Sequence, residues 1–429
     1  MNVLLIGSGG REHALAESIL RSPRVSKLFA APGNGGLASL GECVPVAACD
    51  QAGMLALCRE KRIDFAVVAP DDPLVGGMVD ALSSAGVPCF GPTRAAAALE
   101  GSKIFAKAFM ARHGIPTARA AAFSGAAEAL AHLETAPLPV VVKADGCALG
   151  KGVTVCATRE EAVAAVREAM EEKKFGAAGS RILLEECLEG PEVSVLAFTD
   201  GKTIRPMVSS MDHKRAFDGD CGPNTGGMGA IAPNPFYTDA VAKRAMEDIF
   251  LPTVRGMAEE GRPFRGCLYF GLMLTAEGPK VIEYNCRFGD PETQVVLPLL
   301  ESDLLDILLA CANGTLADTP VRFSSDAAAC VVLASGGYPG NVQTGLPIYG
   351  LEEAARHAHV FHAGTKKLAD GTLATSGGRV LGLTARAPSL EEALAKAFEA
   401  AACISFEGMR FRRDIGRKAL AELAKGGAK

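Results

Sequence analysis

The 13 cysteines of this 429-residue chain include no C-x-x-C pair, and their odd number gives no disulfide framework, so a reducing cytoplasm is expected. A basic face is missing too: 44 Lys and Arg stand against 49 Asp and Glu, a net charge of −5. Nonspecific nucleic-acid binding needs dense positive charge to displace counterions, so any anionic ligand here must be held by local cations. The most apolar later window, 295–312, is broken by Pro298, Glu301, Asp303 and Asp306, which leaves no membrane span. The first residues, MNVLLIGSGG, lack a basic leader region and run into a glycine turn, so they read as a first strand and not as a signal peptide. There is no internal repeat or low-complexity tract; the alanine clusters are helix composition.

What remains is an ordinary globular balance, 48% hydrophobic and 22% charged, long enough for roughly three domains. Strand-like runs at 2–6, 27–31 and 65–69 alternate with helical patterns at 11–21, 51–61 and 73–85, the rhythm of a Rossmann-like parallel sheet with crossover helices. A Pro/Ala/Gly-rich segment, 91–101, closes this unit, and a first domain is expected over 1–101. The pattern then becomes a helix at 104–113, a Gly-Ile-Pro break, and strands near 140–144, 153–156 and 181–187 around a helix at 160–170. Strands at 193–198, 204–208, 266–274 and 279–284 follow, with one long helix at 239–260. This α+β core, expected over 102–325, carries a small inserted lobe at about 119–190. Strands at 327–334 and near 379–384 and a helix at 390–403 predict a β-rich third domain, 326–429, so the fold class is α/β and α+β multidomain.

The strongest chemical signal is VIEYNCRFGDPETQ, 281–294, where an apolar strand delivers Glu283 and Asn285. Side chains two apart in a strand point the same way, so both oxygens can converge on one hard cation. Magnesium is commonly held by one or two carboxylates plus substrate phosphates, and a Glu-x-Asn pair suits that half-finished shell. The alternative is a buried strand ending in a polar turn. In GSGGREHAL, 7–15, a glycine turn opens a helix, where a phosphate meets exposed amides, and Arg11 adds fixed charge. It is not the dinucleotide fingerprint, because Glu12 stands where the third glycine belongs and Pro32-Gly33-Asn34 ends the second strand in place of an acid. A bare structural turn is the alternative.

KADGCALGKGV, 143–153, is not a P-loop: Asp145 stands at its first glycine position and Gly152 follows Lys151 where Ser or Thr belongs. It lies between two strands and resembles a hairpin lid closing over phosphates. Lys143, ending an apolar strand, calls for a paired anion, unless it is a snorkelling surface lysine. Glu185, Glu186, Glu189 and Glu192 surround a Gly-Pro turn where strand-end backbone can read an adenine edge and Glu192 can accept from ribose; a solvated acidic turn is the bland reading. The 19-residue stretch DHKRAFDGDCGPNTGGMGA, 212–230, suits a substrate loop better than a disordered one. His357, His359 and His362 are read as structural, since only the first two share a strand face and no acid or cysteine completes a site.

In order, the Gly7 turn, Lys103, Lys143, the Lys151 loop, the acidic turn, the 212–229 loop and Glu283-x-Asn285 resemble the ATP-grasp superfamily. More narrowly, GREHAL, HKR, GPNTGGMGA, NCRFGDPETQ, GGYPG and FHAGT resemble the phosphoribosylamine–glycine ligase family, over about residues 1 to 420. The resemblance implies a pre-ATP-grasp domain, an ATP-grasp fold with its lid lobe and a β-rich C-terminal domain. It implies a cytoplasmic monomer that uses ATP and magnesium, with manganese as an alternative, to join glycine to 5-phosphoribosylamine in purine biosynthesis. Lys103, Lys143, Gly150, Lys151, Gly152, Glu185, Glu186, Leu188 and Glu192 are then expected to handle ATP, and Glu283 and Asn285 the metal. Glycine and the reacting phosphate fall to Asp212, His213, Lys214, Arg215, Asn224, Thr225, Gly226 and Arg287, with Lys143, Arg287, Asp212 and Lys214 catalytic. Gly9, Gly10, Arg11, Glu12, Asn34 and Asp71 match the phosphoribosylamine side, although the family commonly has Gly-Pro-Glu where this chain has Ala69-Pro70-Asp71. The competing readings are a bicarbonate-activating carboxylase on the same fold, a dinucleotide-dependent oxidoreductase, against which the broken fingerprint speaks, and a non-catalytic ATP-binding regulator.

Overall fold

The computed structural model describes residues 1–146 and 152–426. Near-continuous apolar runs build strands buried on both faces, as parallel sheets require. Five strands pair in parallel, a partly exposed edge strand first, in the order Glu42–Cys43, Lys27–Pro32, Asn2–Gly7, Phe65–Val68, Cys89–Phe90. Chain order reverses beside Asn2–Gly7, so the carboxyl ends of that strand and of Phe65–Val68 open a crevice at the switch point, where ligands of such sheets bind. The Gly7–Gly10 turn and the 69–72 loop both lie there.

Two antiparallel four-stranded sheets follow. The small one runs Ala120–Phe123, Ile182–Glu186, Val140–Ala144, Val153–Cys156, with helices Ala126–Leu133 and Arg159–Met170 over its own apolar core. The large one runs Ile204–Pro206, Glu192–Asp200, Arg265–Thr275, Gly278–Asn285. The long helix expected over 239–260 is helical throughout, but Met246–Phe250 is wound as a π turn between Asp239–Ala245 and Leu251–Glu259. That turn absorbs Pro252, which brings no N–H to the ladder.

The last sheet differs from expectation. Its order is Met211–Asp212, Gly229–Ala232, Ala327–Ala334, Arg379–Ala387, His359–His362, so two of its five strands come from the glycine-rich stretch 212–230. Inside that stretch a short hairpin pairs Arg215–Phe217 with Cys221–Asn224. The loop is therefore anchored at both ends, with Ala230 opposite Cys330. We propose unit boundaries near residues 101 and 325, with the last unit completed by these borrowed strands.

Candidate active site

The strand Gly278–Asn285 carries a bulge: Glu283 faces Gly271 and Val281 faces Leu272, so Ile282 is one residue too many. Strict alternation would put Val281, Glu283 and Asn285 on one face, and Val281 is in the core. With the extra residue, Val281 and Tyr284 pack in the same apolar cluster and Glu283 and Asn285 turn together to the other side. Gly271 makes room, because a side chain there would meet the Glu283 stem at 2.9 Å. Lys214 stands 3.2 Å from Glu283 and 3.3 Å from Glu192. Lys214, then Lys143 and Lys103, hold the Glu283 carboxyl down at about 2, so it is an ionised oxygen donor. Asn285 accepts from Arg287 at 3.2 Å.

In the small sheet, Val140, Val142, Ile182 and Leu184 fill the lobe's core, so Lys143 and Glu185 share the opposite face. The buried Lys143 lies 2.9 Å from Glu185 and donates to the Ile282 carbonyl at 3.0 Å, tying the small lobe to the bulge. Glu185 also takes Lys107 at 3.2 Å, and Lys107 donates to Thr117 and Ala118. Burial brings the Lys107 ammonium down to about 8. The Glu185 carboxylate is thus occupied by two ammonium groups, those of Lys143 and Lys107. Lys103 opens the helix Lys103–Arg112 and donates to the Gly146 carbonyl at 2.8 Å. Gly150 and Lys151 lie outside the described residues; Gly152 accepts from the Ala144 amide at 2.8 Å. Glu186 is held by the exposed Arg119, which takes its carboxylate through the amide at 3.0 Å and the guanidinium at 2.8 Å. Leu188 lies where the chain crosses from small sheet to large, ahead of Glu192 at the large strand's start.

Asp212 is the anomaly. Its Oδ1 is buried with no hydrogen-bond partner among the described residues. Burial and the neighbouring Glu292 push its carboxyl well above the usual range, against the pull of Lys214 and Arg379. Glu292 is itself buried, with Ser194 3.4 Å away. Arg287 reaches Glu100 at 3.4 Å, and Glu100 accepts the Cys286 amide at 2.6 Å. Burial would raise the Asp71 carboxyl, yet Arg287 and Arg11 hold it below the ordinary value, which brings these three expected residues into one electrostatic group.

A cleft of about 340 Å³ joins the first and last units, lined by Ser8, Gly9, Asn34, Asp290, Thr365 and Arg379 among others. Asn34 donates to the Ser8 carbonyl at 2.9 Å and to His362 at 2.8 Å, stapling the glycine turn to the last sheet. Arg11 and Glu12 serve the turn itself: Glu12 accepts the Gly9 amide and pairs with Arg11 at 2.7 Å, and Arg11 donates to Phe288 at 3.0 Å. Gly10 packs on Gln294, 2.7 Å from any added side chain. A larger hollow of about 530 Å³, beside Arg24, Glu301, Asp303 and Asp306, contains none of the expected residues.

Three expectations need correction in geometry. His213 accepts the Gly416 amide on Nε2 at 3.0 Å and meets the Gly229 carbonyl through Nδ1 at 3.2 Å, so no ring nitrogen is left for a substrate; burial lowers it to about 4. Arg215 donates to Gly222 within its own hairpin, opposite Asn224, while Thr225 binds the Lys214 carbonyl at 2.8 Å and shapes the backbone behind that lysine. Acids do approach the histidines, from elsewhere in the chain: Glu17 is 3.6 Å from His359 and Glu399 is 3.3 Å from His357, and His357 lies outside the strand His359–His362. Sequence reading missed Lys107, four residues after Lys103 on the same helix, Glu100, Glu292 within the quoted 281–294 run, and Arg379 at a strand start.

Two lobes with lysines facing a carboxylate–amide pair define the ATP-grasp class. The fold is shared with a biotin carboxylase β,γ-ATP complex from Campylobacter jejuni, at TM-score 0.74 and 14% identity over 99% of this chain and 98% of that one. The models for phosphoribosylglycinamide synthetase match residues 1–100 (N domain), 101–293 (ATP-grasp domain) and 328–418 (C domain), and the chain belongs to this family. It is 47% identical to the phosphoribosylamine–glycine ligase of Halalkalibacterium halodurans, over 99% of this chain and 98% of that protein. The crystal structure of the Thermotoga maritima phosphoribosylamine–glycine ligase superposes with TM-score 0.86 at 34% identity, covering 97% of this chain and 100% of that one.

Proposed function

We propose that this chain ligates glycine to 5-phosphoribosylamine with ATP, giving glycinamide ribonucleotide, ADP and phosphate, a step of purine biosynthesis. The observation that carries the reading is the orphan Asp212 oxygen, within electrostatic reach of Lys214 on the nucleotide side and of Arg379 on the cleft side. A buried acceptor without a donor is costly unless a ligand supplies one, and glycine's ammonium does. Its charge also favours the ionised carboxylate that burial opposes. Glycine's carboxylate would then face Lys214 and Arg287, and the sugar phosphate would occupy the 340 Å³ cleft.

Amide formation from a carboxylate needs a leaving group. In our reading the γ-phosphoryl of ATP passes to a glycine carboxylate oxygen as its bond to ADP breaks. The amine lone pair of phosphoribosylamine then attacks the acyl carbon, phosphate leaves with the bonding pair, and the proton lost by the amine nitrogen goes to the released phosphate. Such transfers ask a protein mainly for alignment and positive charge, which Lys143, Lys214 and Arg287 provide. The donors present fit a divalent ion: Glu283 is ionised, Asn285 offers its carbonyl on the same face, and among the described residues no group of three or more acids, histidines or cysteines forms a complete cage, so phosphate oxygens would finish the shell. Magnesium bound there neutralises charge on the phosphates, and manganese suits the same oxygen set. We assign the reaction to a single copy of the chain in the cytoplasm, on small molecules alone.

The test is ADP release with each substrate omitted in turn. Release that requires both glycine and the amine supports the reading; release driven by bicarbonate in place of glycine overturns it.

A further inference from the structure

Gly226 is gripped from both sides by the last unit. Its amide donates to the Tyr338 hydroxyl at 3.0 Å, and its carbonyl accepts from Arg379 Nη1. The same nitrogen reaches the Gly227 carbonyl at 3.4 Å and the Asp290 carbonyl at 2.6 Å, while Nη2 lies 3.1 Å from the Asp290 carboxylate. Arg379 and Asp290 both line the 340 Å³ cleft. On the other side, Gly227 has φ +109° and sits so close to Asp212 that a side chain would come within 2.6 Å of the orphan Oδ1; one at 226 would press on the Arg379 guanidinium at 2.9 Å. One planar cation therefore touches the cleft wall and the two peptides that close off the unpartnered carboxylate. A guanidinium's donors are fixed relative to each other, so an anion that turns the fork at one nitrogen moves the bonds at another.

We propose that Arg379, seated by Tyr338 and Gly226, is a positioning residue that couples occupancy of the cleft by a sugar phosphate to the affinity for glycine at Asp212. The inference rests on the reading of the cleft given above. A sugar phosphate competing for Nη2 resets the Gly226–Gly227 peptides, and through Gly227 it sets the room beside Asp212. Linkage makes the effect mutual: glycine must tighten the sugar phosphate by the same factor.

The test is calorimetric, on the full chain saturated with magnesium and a non-hydrolysable ATP analogue. Glycine is titrated with and without ribose 5-phosphate, which fills the cleft and lacks the reacting amine. Ribose 5-phosphate is expected to tighten glycine about fivefold or more. In Arg379→Lys, which keeps charge but loses the fork, and in Tyr338→Phe, which keeps the ring but loses the hydroxyl, that factor falls toward one while ribose 5-phosphate still binds. A merely structural role would weaken both ligands and leave their ratio untouched. An unchanged factor in both variants, or no coupling in the natural chain, overturns the inference alone. Failure of ribose 5-phosphate to bind the natural chain overturns the cleft reading and the inference with it.

Discussion

The side we assign to the nucleotide and the side we assign to glycine handle charge in opposite ways. On the side we assign to the nucleotide two lysines already have carboxylates: Lys143 has Glu185, and Lys214 has Glu283 and Glu192. Phosphates arriving there exchange one partner for another, so the cations are held in place before the ligand comes. On the side we assign to glycine Asp212 keeps an oxygen with no donor among the described residues and a neighbour, Glu292, of the same sign. Binding there makes a bond without breaking one. The first arrangement favours alignment, and the second favours affinity and selection of a small cation.

The largest effect expected from breaking this contrast is at Glu283. Glu283→Gln keeps the shape and removes the charge that meets Lys214 and, in our assignment, the metal, so turnover should fall by about 10²-fold or more while the thermal midpoint stays. Full magnesium-dependent turnover in that variant would sink the metal assignment. Next is Asp212→Asn, which should raise KM for glycine by about 10-fold to 100-fold with KM for ATP nearly unchanged, since one charged hydrogen bond is lost. Because an unfavourably buried carboxyl is removed, its thermal midpoint should not drop. A fall in midpoint with unaltered glycine KM would mean that Asp212 is a structural group.

Acid sharpens the contrast in a third place, where the first and last units meet. His13 accepts the His362 amide at 3.0 Å; burial first, then the nearby histidines, bring it down to about 3, and burial brings His362 down to about 4. Both lie below the unfolded value near 6.5, so between these values the unfolded chain binds more protons. Stability is therefore full above pH 6.5 and declines as pH falls toward 4, by at most about 1.4 kcal/mol per group for each pH unit. Denaturant midpoints at pH 7 and 5 measure it, and equal midpoints would refute it. Smallest is Arg119→Ala: an exposed pair with Glu186 is worth about 1 kcal/mol at most, so KM for ATP should change about fivefold or less.

Much of this was legible in the chain. The rhythm of strand-like runs and helical patterns pointed to the parallel sheet, and strands around the 160–170 helix pointed to the small lobe, where Lys143 and Glu185 share a face because Val142 and Leu184 share the other. Glu283 and Asn285 were legible as a pair, but for an incomplete reason. Their shared face depends on the Ile282 bulge, and no period-2 reading places an extra residue. The glycine-rich stretch looked like a loop because its strand-forming ends are short, and the outer partner of the second end, around Cys330, lies a hundred residues on. Glu100, Glu292 and Arg379 escaped notice for the same reason: each acts on a residue distant in sequence, and no local pattern marks it. His213 drew attention by its neighbours, yet a histidine whose two nitrogens both meet backbone reads the same in one dimension as one awaiting a substrate.

The strands lent to the final sheet by Met211–Asp212 and Gly229–Ala232 set a limit on how this gene can be cut. A truncation after residue 325 would strip Gly229–Ala232 of its neighbour Ala327–Ala334 and bare a row of unpaired amides and carbonyls next to Asp212. Such a fragment should clump with copies of itself, and fusion partners are better attached at the chain's ends than spliced at that junction.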